Sequence, residues 1–228
     1  MKFQSSSVRS FATRSGRQTA AQKRGWEVGF PRWGMHTVSG MLDWNKSFGF
    51  CGRRVVEIGF GMGDSLIQMA RLSPTTQFVG IEVYLPGIGR LLNKIDKNDL
   101  KNIRIYAEDA IEVFELSIGN DSIDAINVFF PDPWHKKRHI KRRLIRPSFI
   151  AMLVKRLRRN GIIHLVTDCS AYAEQMSVAL ENAVELENLS NCGQFASRPP
   201  FRPITKFEKR AIASGNDVWE LMYLRQAS

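Results

Sequence analysis

The stretch FFPDPWHKKRHIKRR, residues 129 to 143, holds one carboxylate, Asp132, between two prolines, an indole two positions later, and six Lys or Arg between residues 134 and 143. Proline restricts the backbone, so the flanking pair fixes where the Asp132 carboxylate points. A carboxylate held that way can orient a base and stabilise positive charge that develops on it, while adjoining cations grip phosphates. Two plainer readings compete: Pro-Asp-Pro-Trp as a rigid turn and no more, and the cations as a solvated face. Upstream, EIGFGMGDS (57–65) carries Gly59, Gly61 and Gly63, which allow tight curvature and leave no Cβ between backbone and ligand. The dinucleotide fingerprint would need glycine at 64, where this chain has Asp64. Its charge at a helix start repels a pyrophosphate.

Three more acids close successive strand-like runs: Glu57, Glu82 and Asp109. In an open α/β sheet such ends border one crevice. An acid at the second strand suits a ribose diol and one at the third an exocyclic amine, although helix caps or solvated loop acids would read the same way. Asp168, ending VTD, can accept hydrogen bonds from a ligand or cap the helix starting near Ser170. Thr205 and Glu208 in RPITKFEKR fit a capping box, with Phe207 expected in the core. His135 and His139 have helical spacing, but no further His or Cys joins them, and metal binding is not expected.

Certain elements must position these groups. β-Branched runs recur at 53–60, 77–84, 102–109, 122–130 and 161–168, with a weaker one at 184–189, and amphipathic segments lie between most of them. Alternation of this kind gives a parallel sheet covered on both faces. The fold class expected is α/β, mostly parallel and seven-stranded, with the final strand (218–226) antiparallel at the sheet's edge. Pro147 suits a first helical turn, Asn160-Gly161 a helical stop, and Asp64 or Ser65 a cap. The long interval after the fourth strand leaves room for the basic run as an insertion.

Composition narrows the partner. The 228 residues include 33 Lys and Arg against 22 Asp and Glu, a net charge of +11. With no apolar run long enough to span a bilayer, this excess points to a polyanion and away from membranes. Three scattered cysteines, Cys51, Cys169 and Cys192, suggest neither a disulfide framework nor a zinc cage, and fit a reducing cytosol. Residues 1–26 contain Lys2, Arg9, Arg14, Arg17, Lys23 and Arg24 and no acid. A transit peptide and a disordered tail compete with the preferred reading, an arm that orders on a phosphate backbone. The domain division expected is therefore 1–26 as that arm and 27–228 as a single domain.

EIGFG followed by GIEV, AEDA, FFPDPWHKKRH, VTD and RPITKFEKR resembles the bacterial tRNA (guanine-N7)-methyltransferase family, over most of the chain from the RSFATRSGRQT arm onward. The resemblance implies a Rossmann-like class I methyltransferase that uses S-adenosylmethionine on the guanine at position 46 of the tRNA variable loop. It implies cofactor positions at Glu57, Gly59, Gly61, Glu82, Asp109 and Asp132. Substrate positions would be Lys136, Asp168, Thr205, Lys206, Phe207 and Glu208, with Asp132 at the reaction centre. Asp64 departs from the small residue common there. A cytoplasmic enzyme is implied, with tRNA as partner, no metal, no membrane, and a monomeric or weakly dimeric state. A nicotinamide oxidoreductase is disfavoured by the missing third fingerprint glycine. Another RNA or nucleotide methyltransferase and a non-catalytic RNA-binding module on the same fold are the remaining alternatives.

Overall fold

The computed structural model describes residues 17–191 and 193–227. Residues 9–16 of the RSFATRSGRQT segment fall outside them, as does Cys192. The chain builds one eight-stranded sheet. Its middle is β2 (Arg54–Ile58), flanked by β3 (Gln77–Ile81) and β5 (Ile123–Phe129), both parallel to it. Beyond β3 lie β4 (Ile103–Tyr106) and the two-residue β1 (Gly34–Met35). Beyond β5 lies β6 (Leu157–Thr167), also parallel. The chain leaves β2 toward one edge and then returns to the other side, so the topological switch lies between the carboxyl ends of β2 and β5, where open α/β sheets bind ligands.

The strands are buried on both faces because neighbouring side chains enter different cores. Val55 and Phe78 join a cluster with Leu66 of α3 (Asp64–Leu72), Leu91 of α4 (Leu85–Lys97) and Phe30 of α1 (Ala20–Trp33). Val56 and Val79 join another with Phe114 of α5 (Ala110–Leu116), Phe149 of α6 (Pro147–Arg156) and Tyr172 of α7 (Ser170–Glu181). Trp44 and Phe48 of the short α2 (Trp44–Phe48) seal that second layer.

Several sequence expectations shift. The sheet has one strand more than expected, because β1 pairs with β4. The final strand, β8 (Trp219–Arg225), is antiparallel to β6 as expected, yet it is not outermost: β7 (Leu186–Asn188) pairs along its far side. Residues 20–26, assigned to the arm, instead begin α1, capped by a Thr19–Gln22 box. This helix lies close against α4 because both faces carry glycine; a Cβ on Gly25 would stand 2.2 Å from the Gly89 carbonyl. Asn160-Gly161 does not stop α6, which ends at Arg156. Asn160 sits instead in a bulge of β6, with φ 60°. Neither Asp64 nor Ser65 caps α3. Gly63, at φ 74°, takes that place, and Asp64 pairs with Arg90 at 2.8 Å and with Lys94. Burial works against ionisation of Asp64, but those two cations hold its carboxyl below the usual range.

Candidate active site

The glycine loop and the acids converge at the switch point. Gly59 (φ 72°) and Gly61 (φ 55°) take left-handed conformations that a side chain strains. The loop rests on the start of α4, where a Cβ on Gly87 would lie 2.0 Å from the Gly61 carbonyl. Glu82 staples it in place: its carboxylate accepts from Gly61 N at 2.8 Å, Val83 N at 2.7 Å and Tyr84 N at 3.0 Å. Burial raises its pKa, the three amides oppose that, and the Asp132 charge adds to the rise. A carboxylate offers about four acceptor sites, so one remains for a ligand hydroxyl.

Glu57, on β2 opposite Asn127 of β5, is buried, and its Oε2 has no partner. Burial, with the Glu82 charge second, pushes its carboxyl up to about 8. An orphaned buried acceptor facing a crevice fits a ligand that brings a donor, above all a cationic one. Asp109 caps α5, accepting from Ile111 N at 2.7 Å through Oδ1.

Asp132 enters from β5 through a bent exit. Phe130 has φ 54° and Trp134 φ 46°, both left-handed without being glycine. Burial chiefly raises the pKa of both Glu82 and Tyr172, and the Asp132 charge adds to the rise in each. Trp134 is covered, with the Arg142 guanidinium 5.0 Å from its ring centroid and His139 edge-on at 5.7 Å. The guanidinium occupies one face of the ring. Lys136, Lys137 and Arg138 are exposed on and before a 3₁₀ turn (Lys137–Arg142), whereas Arg143 is buried and is no part of a phosphate-gripping surface.

Asp168 does not cap α7; Cys169 occupies the cap position without a side-chain bond. Asp168 instead lines an open cavity of about 530 Å³, with His135, Cys169, Asn216, Asp217 and Trp219 around it. His135 approaches Cys169 there, Nδ1 to Sγ 3.9 Å, while His139 lies against Trp134, so the two histidines part. Among the described residues no group of three or more His, Cys, Asp or Glu is placed to hold a metal.

The TKFE segment opens α8 (Lys206–Ala213) with the Thr205–Glu208 capping box. Lys206 is exposed. Glu208 turns inward: Arg202, fully buried, donates to it at 2.7 and 3.0 Å and to Glu220 at 2.7 Å, and Glu220 pairs with His164. Burial alone would lower the Arg202 pKa, but Glu208 and Glu220 more than reverse that and raise it. Phe207, expected in the core, is 51% exposed and stacks on Phe130, centroids 6.0 Å apart. α8 is thereby tied to the exit of β5. Sequence reasoning missed the roles of Arg202, whose partners Glu208 and Glu220 lie six and eighteen residues on, and of Arg143, whose α7 partners lie about thirty residues on. For Arg143 the one local signal was its place at the inner end of the run, directly before Leu-Ile.

A family model described as "Putative methyltransferase" matches residues 52–221. A protein of Alcanivorax borkumensis named tRNA (guanine-N(7)-)-methyltransferase is 44% identical, covering 96% of this chain and 92% of that protein. One of the same name from Burkholderia lata is 45% identical, covering 97% of this chain and 86% of that protein. Among solved structures, the 16S rRNA methyltransferase KamB superposes with a TM-score of 0.59 at 13% identity, over 82% of this chain and 95% of that one, a likeness of fold.

Proposed function

This chain belongs to the methyltransferase family of those relatives, the tRNA (guanine-N(7)-)-methyltransferases, and from that premise we propose that it methylates N7 of a guanine in tRNA with S-adenosylmethionine. The observation that best supports the reading is the built glycine loop: Gly59 and Gly61 take left-handed conformations, Glu82 accepts from Gly61 N at 2.8 Å, and Glu57 keeps a buried oxygen without a partner.

S-adenosylmethionine supplies an electrophilic methyl on a positive sulfur. Glu57, with its unpartnered oxygen, would take the donor's cationic end, the remaining acceptor of Glu82 a ribose hydroxyl, and Asp109 the base rim. The backbone of Gly59 and Gly61 lets the ligand approach. Guanine N7 carries a free lone pair, so the chain needs no general base. What it must do is hold the purine in line and meet the positive charge that grows on the ring. Asp168 would accept from the guanine edge in the cavity, and Asp132 would supply the negative charge. Lys136, Lys206 and Thr205 would hold the flanking backbone, Phe207 would stack on a neighbouring base, and Glu208 would act through the α8 cap it completes. The finer target, position 46 of the variable loop, follows from the motif resemblance.

We further place the protein in the cytoplasm as a monomer or weak dimer, with the cations of residues 1–16 adding phosphate contacts. No helix among the described residues is long and apolar enough to cross a membrane. The test is transfer of labelled methyl to an unmodified tRNA transcript, with the product mapped by strand cleavage at 7-methylguanine. Label on another base, or none, ends the proposal. With a net charge of +11, tRNA affinity should fall steeply with salt, the log–log slope giving the number of phosphate contacts. A flat titration is incompatible with this binding mode.

A further inference from the structure

We propose that Arg143, the last cation of the basic run, is a positioning residue for the Asp132 carboxylate and not a phosphate contact. Its side chain is 5% exposed. Nε donates to the Pro133 carbonyl at 2.8 Å, and Nη1 donates to Gln175 Oε1 at 2.7 Å and to the Ala171 carbonyl at 3.3 Å. The guanidinium lies over the Tyr172 ring, 4.6 Å from its centroid. Ala171, Tyr172 and Gln175 all belong to α7, so the guanidinium bridges a helix and a loop.

The loop needs such a bridge. Residues 131–135 adopt no regular structure, and two non-glycine residues, Phe130 just before them and Trp134 within them, take left-handed conformations. Conformations of that kind persist only where the surroundings over-determine them. The Pro133 carbonyl belongs to the peptide unit that joins Pro133 to Trp134, so a donor fixed on it holds the bend one residue after Asp132. α7 also anchors the far end of the insertion: Gln175 Nε2 donates to the Ile145 carbonyl at 3.0 Å, and Tyr172 Oη accepts from Ile145 N at 3.0 Å. Since α7 begins two residues after Asp168, these contacts fix the Asp132 loop relative to the element carrying Asp168. A planar fork can donate in two directions at once, whereas a lysine ammonium is a single point charge on a flexible stem.

The role assigned to Asp132 rests on the methyltransferase reading; the strut does not. The experiment compares full-length wild type with Arg143→Lys and, on the exposed side of the same run, Lys137→Gln. Hydrogen exchange over 131–143, single-turnover methyl transfer, and tRNA affinity against salt are measured on each. For Arg143→Lys we expect amides of the loop to exchange faster, and a transfer rate lower by roughly 10- to 100-fold, the scale of an ångström-sized misplacement. Its tRNA affinity and salt slope should match wild type. Lys137→Gln should show the reverse, a salt slope lower by about one with exchange unchanged. Unchanged exchange and rate in Arg143→Lys would overturn the proposal, as would a salt slope lower by about one at full rate. If Arg143→Lys does not fold, Gln175→Leu removes the acceptor of Arg143 Nη1 together with the Ile145 contact, while Arg143 keeps its bond to Pro133, and it must still speed exchange at 131–135; no change there also refutes the strut. Should wild type itself fail to methylate tRNA, the functional reading falls while the exchange comparison still decides what Arg143 does.

Discussion

Replacing Glu57 with glutamine tests the electrostatics of the crevice without any substrate. The residue is 2% exposed, has an unpartnered Oε2, and carries a pKa pushed by burial and the Glu82 charge from 4.5 to about 8. Between those two values the folded chain holds a proton that the unfolded chain has released. Stability therefore falls as pH rises through that window and levels off above it. The gap is equivalent to roughly 5 kcal/mol against keeping Glu57 ionised. Glutamine has the shape of the protonated acid and does not titrate. The variant should melt with wild type near pH 5 and above it at pH 9. Water drawn into the crevice by the ionised acid lowers that ceiling, so we expect at least about 2 kcal/mol, or ~4–8 °C for a domain of this size. Calorimetric melts of both proteins from pH 5 to 9.5 without cofactor give the difference curve, in which the groups not coupled to Glu57 cancel and the coupled Glu57–Glu82 pair remains. A difference that stays flat across that range would refute the account of Glu57 as a proton-holding buried acid.

Three further substitutions probe other links. Asp132→Asn should lower methyl transfer by about 10²-fold or more, the scale of losing one preorganised electrostatic contact, while tRNA affinity holds; full activity in a radiolabel assay removes Asp132 from the centre. Arg202→Met leaves Glu208 and Glu220 buried without their cation, and denaturant unfolding should show a loss of about 3–5 kcal/mol. A loss too small to measure would mean that the cluster contributes little. Gly87→Ala drives a Cβ to 2.0 Å from the Gly61 carbonyl, which should displace the loop and weaken S-adenosylhomocysteine binding by ~10-fold, given about 1–3 kcal/mol for overpacking; equal affinity by calorimetry would show that the loop yields freely.

Much of the molecule is legible from local pattern. The β-branched runs, the helical intervals, the glycine turn and the acids ending each strand depend on periods of two and 3.6 and on single-residue conformational limits, and these act over a few positions. The Thr205–Glu208 box was readable for the same reason, because its two bonds close within four residues. Asp132 could be picked out because prolines on either side constrain it whatever lies around it. The tertiary structure alone decided the rest. Whether β8 lies at the edge or between β6 and β7 depends on which strand it meets in space. Phe207 became a half-exposed partner of Phe130 because α8 lands on the exit of β5. Arg143 and Lys137 belong to one run of charge, yet one is buried as a strut and the other solvated, because Gln175, Ala171 and Tyr172 approach from roughly thirty residues away. Side chains of the same type take their roles from neighbours brought in by folding, and spacing along the chain does not record those neighbours.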